Sequence, residues 1–321
     1  MSYNYKTYAF SHPFSKEEMT MSNAHPSLPY FELIQPATLS EASQYLHAHP
    51  SDARPLLGGT DLLVRMRDGA LKPSTLVNLK TIPGMNEMCF DPHEGLTIGA
   101  AVPMNHVIAS ADAQRYYPLL VEACQSVASY QLRNRATVVG NICNASPAGD
   151  SIGAALLYEG ELKVYSSEDE KSLLLKDFFL GPGKTKLKLG EIVTTLHLPL
   201  PPDGQQGAYC KLGRNVISDL SIVGVAVLGF PDAITKSGFR FRIALTSVAP
   251  TPLVAQQAEE ILASQPISDA VIRQAAEAAQ QACSPIDDVR ASATYRRAMV
   301  ERCTYRTVMN VWQRLQKSSK G

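Results

Sequence analysis

The chain has 321 residues, of which 45% are hydrophobic and 19% are charged, a composition typical of a globular protein with two or three domains. Its 30 basic residues balance 30 acidic residues, so the formal net charge is zero and no basic field is available for nucleic-acid binding. No apolar run in the sequence is long enough to cross a bilayer, which argues against a membrane protein.

The N-terminal residues 1–28 lack the charged start and apolar core of a secretory signal, and we expect them to form an irregular arm. The six cysteines are far apart and include no CxxC pair, and the histidines show no metal-ligand spacing. This pattern argues against a zinc site or an iron–sulfur cluster held by this chain. It is typical of free thiols in a reducing compartment, so we expect a cytoplasmic protein.

From residue 29 onwards, the predicted elements mix helices and strands. A capping box formed by Thr38 and Glu41 predicts a helix start. A short strand is predicted near residues 55–57, and a helix from Asp61. Strands follow in "STLVNLK" and "GLTIGA", and a helix in "PLLVEACQSVA". The stretch "LRNRATVVGNICNASPAGD" is rich in turn-forming residues and is not periodic, whereas residues 161–200 are again strand-like.

The segment "PPDGQQG" at 201–207 contains only proline, glycine and polar residues, and it predicts a linker. The strands "AYCKLGR", "SIVGVAVLGF" and "FRFRIALTSV" follow, and the chain then becomes helical after Pro250. Strands followed by helices are typical of an α+β domain. We therefore predict an α+β protein with a domain at 29–203 and a smaller α+β domain at 204–321.

The segment "RPLLGGTDLLVRM" places Gly58 and Gly59 where a strand gives way to a helix. Glycine permits close approach to the backbone and positive φ, so such a loop can aim several N–H groups at one anion. The following helix adds its positive end, and Thr60 either offers its hydroxyl to the anion or caps the helix. The pattern fits a pyrophosphate cradle or an ordinary turn, and it is neither a Rossmann motif nor a P-loop.

Two further stretches carry polar groups that suit a nucleotide cofactor. In "RATVVGNICNASPAGD", Thr137 and Asn141 bracket Gly140, and the stretch ends in Asp150, whose carboxylate suits a ribose or ribityl hydroxyl. In "KLGRNVISDLSIVGVAV", Lys211 and Arg214 lie at one strand end, where they balance an electron-rich ring, receive a negative partner, or form a solvated edge.

In this order, the three stretches resemble the FAD-binding medium subunit of the molybdenum hydroxylases, the family of xanthine dehydrogenase and carbon monoxide dehydrogenase. In that family, an A-G-G-T-[DN]-L loop and a T-x-G-G-N loop hold the FAD pyrophosphate, and the acid that follows contacts the flavin nucleotide. The resemblance runs from about residue 31 to about residue 315 and includes "LTIGAAVPMNHV", "ALTSVAPTPLVAQQAEEIL" and "DVRASATYRR".

The resemblance implies a set of cofactor-binding positions: Leu57, Gly58, Gly59, Thr60, Asp61, Thr137, Gly140, Asn141, Asp150, Val193 and Lys211. The sequence departs from the pattern at Val139, which stands where the second loop normally has its first glycine. A β-branched residue does not easily adopt positive φ, so either this position keeps negative φ or its contact with FAD is lost.

The resemblance also implies the fold and the function. The expected fold is the FAD-binding domain of the vanillyl-alcohol oxidase and p-cresol methylhydroxylase type, followed by a smaller C-terminal domain. The expected function is electron transfer through non-covalent FAD, from a small subunit with [2Fe-2S] clusters to a terminal acceptor. A large partner subunit would carry the molybdenum cofactor, in a dimer of heterotrimers.

On this hypothesis, the chain has no catalytic acid or base and no metal ligand of its own. Two alternatives stay open at the level of sequence. One is a self-contained flavin oxidase of the same fold, and the other is a non-enzymatic flavin-binding assembly factor.

Overall fold

The computed structural model describes residues 27–215 and 219–318, so all but the last two residues of the predicted N-terminal arm lie outside it. The first unit is a parallel sheet in the order β1-β3-β2, which we call sheet 1. Its elements are β1 (Glu32–Ile34), α1 (Leu39–Ala48), β2 (Ala53–Leu56), α2 (Leu62–Arg67) and β3 (Thr75–Asn78). The Thr38 side chain accepts a hydrogen bond from the Glu41 N–H at the start of α1, which confirms the predicted helix start.

The second unit is an antiparallel sheet in the order β4-β5-β10-β6-β7, which we call sheet 2. A short hairpin, β8–β9, and a 3₁₀ turn at Leu175–Asp177 precede its last strand in the sequence. The strands are β4 (Met88–Asp91), β5 (Gly95–Gly99), β6 (Glu161–Tyr165), β7 (Glu170–Leu174), β8 (Phe179–Gly181), β9 (Lys184–Thr185) and β10 (Ile192–Leu198).

The chain between β5 and β6 is helical. It forms α3 (Met104–Ala109), α4 (Ala111–Tyr116), α5 (Pro118–Gln125), α6 (Tyr130–Arg133), α7 (Val138–Cys143) and α8 (Asp150–Leu157). All eight residues of α8 are buried, because this helix packs between α5, α7 and the C-terminal sheet. A helix that is covered on every side needs no polar face, and its sequence "DSIGAALL" carries one charged residue, at its start.

The third unit is an antiparallel sheet in the order β11-β12-β13-β14, followed by three helices. Its elements are β11 (Gln206–Leu212), β12 (Val223–Pro231), β13 (Phe239–Thr246), β14 (Leu253–Val254), α9 (Gln256–Ser264), α10 (Asp269–Ala282) and α11 (Ala293–Ser318). No helix in the described ranges combines the length and the hydropathy that a bilayer crossing requires.

Side chains alternate across the C-terminal sheet, as they must in a strand. Val225 and Val227 belong to the core shared with α9–α11, whereas Ala226 and Leu228 belong to the core of the preceding units. Gly153 of α8 brings the helix close to the sheet, since a Cβ at that position would lie 3.3 Å from the Ala226 Cβ. The third unit is therefore docked on the first two through a continuous apolar core.

The structure differs from the sequence expectation most over residues 132–150. This aperiodic stretch contains the end of α6, all of α7 and the first residue of α8. Helices of four to six residues are too short to show a 3.6-residue period, so their caps are the better signal. Ser129 and Thr137 both cap helices here, accepting hydrogen bonds from the N–H groups of Leu132 and Gly140.

Candidate functional site

A cleft of about 450 Å³ lies between sheet 1 with its following loop, α7 and the start of β10. Its volume lies within the range that cofactor and ligand sites usually occupy. Nine of the residues predicted from the sequence line it: Leu57, Gly58, Gly59, Thr60, Asp61, Thr137, Gly140, Asn141 and Val193. The structure thus brings the first two motifs together, although about 75 residues separate them in the sequence.

The two glycines after β2 have different structural roles. A Cβ on Gly58 would lie 2.2 Å from the Arg135 carbonyl oxygen, so only glycine allows this close approach to the segment before α7. Gly59 has φ +73°, a left-handed conformation that side chains with a Cβ rarely adopt. The glycine pair therefore sets both the spacing of the two motifs and the direction in which the loop turns.

The loop after β2 leaves a row of backbone donors without partners. Among the described residues, no acceptor pairs with the N–H groups of Gly58, Gly59, Thr60 or Asp61, or with the Thr60 hydroxyl. Asp61 is the N-cap residue of α2, but its side chain makes no capping bond, and Thr60 does not cap the helix either. Backbone donors of this kind are free to bind an anion in the cleft.

The second motif is a helix start, not a loop. The Thr137 side chain accepts a 2.9 Å hydrogen bond from the Gly140 N–H at the beginning of α7. Val139 lies inside α7 and does not have positive φ. Of the two possibilities considered from the sequence, this position keeps negative φ. The side chain of Leu57 lies next to Gly140, since the Leu57 Cβ is 3.9 Å from the position that a Cβ on Gly140 would occupy.

Several cationic side chains surround the loop. Arg54 and Arg65 line the cleft, and the Lys80 ammonium donates a 3.1 Å hydrogen bond to the Leu57 carbonyl oxygen. Burial and the nearby Arg135 charge lower the pKa of Lys80. These side chains place positive charge around the row of free N–H groups, and the Asp61 and Glu191 carboxylates, which also line the cleft, oppose it.

Asp150 and Lys211 are not among the residues that line the cleft. The Lys211 ammonium lies 2.7 Å from Asp150 Oδ2 and donates a 2.9 Å bond to the Ser126 carbonyl oxygen, next to the cleft residue Val127. The Tyr209 hydroxyl donates to Asp150 Oδ1 at 2.8 Å. Burial raises the pKa of Asp150, and the charge and hydrogen bond of Lys211 and the hydrogen bond of Tyr209 oppose that rise.

This cluster changes how the two residues are understood. A negative partner was one of the three environments considered for Lys211 from the sequence. The structure provides one in Asp150, a residue of the same chain. The contact of Asp150 with a hydroxyl of FAD stays a prediction, and both carboxylate oxygens already accept hydrogen bonds from β11. Asp150 and Lys211 connect α8 to the C-terminal sheet.

Sequence reasoning missed some residues of the site. Lys80 lies two residues after the end of β3, and Arg135 lies two residues before Thr137, the cap of α7, so both could have been suspected from their places near the motifs. Tyr209 and Ser126 carry no local signal, because their contacts with Asp150 and Lys211 join segments 59 and 85 residues apart.

The cleft fits a nucleotide cofactor with a pyrophosphate. Four unpaired N–H groups offer donors to phosphate oxygens, and residues of both sheet 1 and the start of β10 line the cleft. Val193, which lines the cleft beside Ile192 and Leu187, is 4% exposed and lies at an irregularity in the pairing of β10 with β6. An apolar wall of this kind suits a planar ring.

Comparison with known proteins gives two family matches. Residues 29–201 match the model described as the FAD binding domain in molybdopterin dehydrogenase, which is more than half of the chain. Residues 207–311 match the CO dehydrogenase flavoprotein C-terminal domain.

Individual relatives cover nearly the whole chain. The carbon monoxide dehydrogenase medium chain of Hydrogenophaga pseudoflava is 32% identical over 288 residues, covering 89% of this chain and 98% of that protein. The xanthine dehydrogenase FAD-binding subunit of Escherichia coli O157:H7 is 29% identical, covering 85% and 92%. A solved carbon monoxide dehydrogenase from H. pseudoflava matches with a TM-score of 0.85 at 32% identity, covering 90% of this chain and 99% of that one.

Proposed function

Because the chain belongs to the family of FAD-binding subunits of molybdopterin dehydrogenases, we propose that it transfers electrons between a partner subunit and a terminal acceptor through FAD held in the cleft. Membership confirms the resemblance seen in the sequence, the FAD-binding domain with its smaller C-terminal α+β domain, and the assignment to the oxidoreductases. The observation that supports the proposal most strongly is the row of unpaired N–H groups at Gly58–Asp61, in a loop that lines the same cleft as the start of α7.

Bound FAD supplies a ring that accepts and donates one or two electrons. The chain's own residues bind and orient it. In this proposal, the loop after β2 holds the pyrophosphate with backbone donors, Thr60 adds a hydroxyl, and Arg54 and Arg65 balance the charge. Val193 lies against the ring, and no residue of this chain moves a proton to or from the substrate of the complex.

The remaining predicted positions have supporting roles in this proposal. Leu57, Thr137, Gly140 and Asn141 form the wall on the side of α7. Asp150 and Lys211 do not line the cleft and support it from behind. Lys211 donates a hydrogen bond to the Ser126 carbonyl, next to the lining residue Val127. β11 of the C-terminal unit therefore supports the cleft from behind and does not line it.

The proposal includes two kinds of partner. The H. pseudoflava relative is named the medium chain of its enzyme, which implies a larger and a smaller chain in that enzyme. We propose that this chain likewise assembles with a large subunit that binds the molybdenum cofactor and a small subunit that binds [2Fe-2S] clusters, as a dimer of heterotrimers in the cytoplasm.

Co-expression with the genomic neighbours tests this function. Tagged full-length chain should bring down both partner subunits, and the substrate of the complex should bleach the flavin absorbance only when both are present. If the isolated chain reduces its flavin with a small molecule and turns over alone, it is a self-contained oxidase. If it binds FAD that no complex reduces, the assembly-factor hypothesis replaces the proposal.

A further inference from the structure

Asn141 of α7 is one of the residues that line the cleft, and its side chain is held from behind by α8. Its Oδ1 lies 2.8 Å from the hydroxyl oxygen of Ser151, the second residue of α8. Ser151 is completely buried, with 0% of its surface exposed. Thus a buried hydroxyl contacts one end of an amide whose residue faces the cofactor cleft.

The buried hydroxyl determines which way the amide points. Among the described residues, Asn141 is the sole hydrogen-bond partner of the Ser151 side chain. With the amide oxygen towards Ser151, the serine O–H donates and is satisfied. With the amide reversed, Nδ2 would donate to the serine oxygen, and the buried O–H would be left without an acceptor, which is unfavourable.

The backbone before α8 also encloses the amide oxygen. A Cβ on Gly149 would lie 3.1 Å from Asn141 Oδ1 and 2.5 Å from Ile152 Cδ1, so this side of the amide has no room for a ligand atom. The Nδ2 group lies on the other side of the amide carbon, and it has no acceptor among the described residues. The free donor is therefore the end of the amide that is available to the cleft.

We propose that Ser151 positions Asn141 so that its Nδ2 group donates a hydrogen bond to a pyrophosphate oxygen of the cofactor. This inference rests on the proposed binding of FAD in the cleft. Ser151 is a positioning residue, since it acts through Asn141 and does not touch the ligand. Asn141 adds a side-chain donor to the backbone donors of Gly58–Asp61.

A double-mutant cycle tests this role. The flavin is removed from the full-length protein, and FAD is titrated back into the wild type, Ser151→Ala, Asn141→Ala and the double variant. Losing a donor to a charged oxygen should weaken FAD binding about 10- to 100-fold in Asn141→Ala, and losing the orienting bond should weaken it about three- to tenfold in Ser151→Ala. The double variant should bind FAD no more weakly than Asn141→Ala alone.

Ser43→Ala is a matched control, because Ser43 is also buried, accepts one hydrogen bond from the Ser167 N–H, and does not line the cleft. Its FAD affinity should equal that of the wild type. The inference would be overturned if Ser151→Ala weakened FAD binding by the same factor in the wild type and in Asn141→Ala. The effect of Ser151 would then not act through Asn141.

Asn141→Asp separates a donor to phosphate from an acceptor for a hydroxyl. The carboxylate can still accept the Ser151 hydrogen bond, but it repels a pyrophosphate and offers no N–H. We expect it to bind FAD more weakly than Asn141→Ala, and wild-type affinity in this variant would overturn the inference. Wild-type protein that fails to bind FAD at all would instead refute the proposed function.

Discussion

The Lys211 ammonium on β11 lies 2.7 Å from Asp150 Oδ2 at the start of α8, and both side chains are almost fully buried. The contact joins the C-terminal sheet to the helix that follows the second motif, and the same ammonium holds the Ser126 carbonyl beside the cleft. The ion pair therefore links the C-terminal sheet to α8, and Lys211 also holds the backbone next to the cleft residue Val127.

Removing the lysine should make stability depend on pH. In Lys211→Met, the charge that opposes the raised pKa of Asp150 is gone, so that pKa rises further. A carboxyl group whose pKa is raised in the folded state contributes stability that is present below its ordinary pKa of 3.8 and is lost as pH rises through the folded value. The variant should therefore lose about 3 kcal/mol at pH 8 and clearly less at pH 5.

Thermal unfolding of the wild type and Lys211→Met between pH 5 and pH 8 measures this difference. The double variant Asp150→Asn/Lys211→Met is the control, because it has no titrating group at either position and should lack the extra loss of stability that Lys211→Met shows between pH 5 and pH 8. A difference between Lys211→Met and the wild type that stays constant over the range would show that Asp150 does not titrate there.

The local signals in the sequence predicted the main elements and one face of the site. The cap at Thr38, the strand-to-helix change at Gly58–Gly59 and the strand in "SIVGVAVLGF" all depend on signals that act over a few residues, and the structure confirms them. The family resemblance joined the first and second motifs, which no periodicity could do.

What the sequence could not predict depends on contacts between distant segments. The close approach of Gly58 to the Arg135 carbonyl explains why glycine is needed there, but it exists only after the loop that follows β2 packs against the segment before α7. The hydroxyl of Ser151 gains its role from α7, ten residues away, across a turn. Asp150 illustrates the limit, because its place beside a cofactor motif suggests a ligand but gives no sign of its contacts with Tyr209 and Lys211.

Replacing Gly59 should remove FAD. Valine cannot easily adopt φ +73°, and its Cβ would lie 2.9 Å from Leu56 Cδ1, so the loop would leave the conformation that aligns its N–H groups. Gly59→Val should purify with little flavin, whereas Lys211→Ala should keep most of it, because Lys211 lies behind the cleft wall. The flavin-to-protein absorbance ratio of each purified variant measures occupancy.

Gly238→Val is the matched control for the backbone strain. Gly238 has φ +75° and no atom within 4 Å of its Cβ position, in the turn between β12 and β13. The Gly238→Val variant should have the same backbone strain as Gly59→Val and still bind FAD fully. Normal flavin occupancy in Gly59→Val would mean that the loop after β2 is not the pyrophosphate cradle.

A second buried ion pair stabilises the C-terminal unit and makes it sensitive to acid. Arg296 is 1% exposed, and its guanidinium lies 2.6 Å from Asp288 Oδ1. Burial opposes ionisation of Asp288, but hydrogen bonds from Arg290 and Arg296 outweigh it and hold the pKa of Asp288 well below its usual range. Asp288→Asn leaves the arginine without a counter-charge and should cost about 3 kcal/mol at pH 7.

The sign of the pH effect follows from the lowered pKa. Asp288 contributes stability that is present above its ordinary pKa of 3.8 and is lost as pH falls through the folded value. The difference in unfolding temperature between the wild type and Asp288→Asn should therefore be constant from pH 5 to pH 7 and shrink below pH 4. Asp269→Asn, which breaks an exposed pair with Arg273, should cost clearly less than Asp288→Asn, and an equal cost for both variants would contradict the argument.

Finally, the cleft predicts that FAD is bound without a covalent bond. Covalent flavin needs a nucleophilic histidine or cysteine beside the ring, and among the described residues that line the cleft there is no histidine and one cysteine, Cys143. Burial raises the pKa of the Cys143 thiol to about 12, so little of the reactive thiolate is present near neutral pH. Acid precipitation of the full-length protein should therefore leave a colourless pellet and release a yellow supernatant that co-elutes with FAD in chromatography. Flavin retained in the pellet would indicate a covalent link, and FMN in the supernatant would show that the row of N–H groups at Gly58–Asp61 does not hold a pyrophosphate.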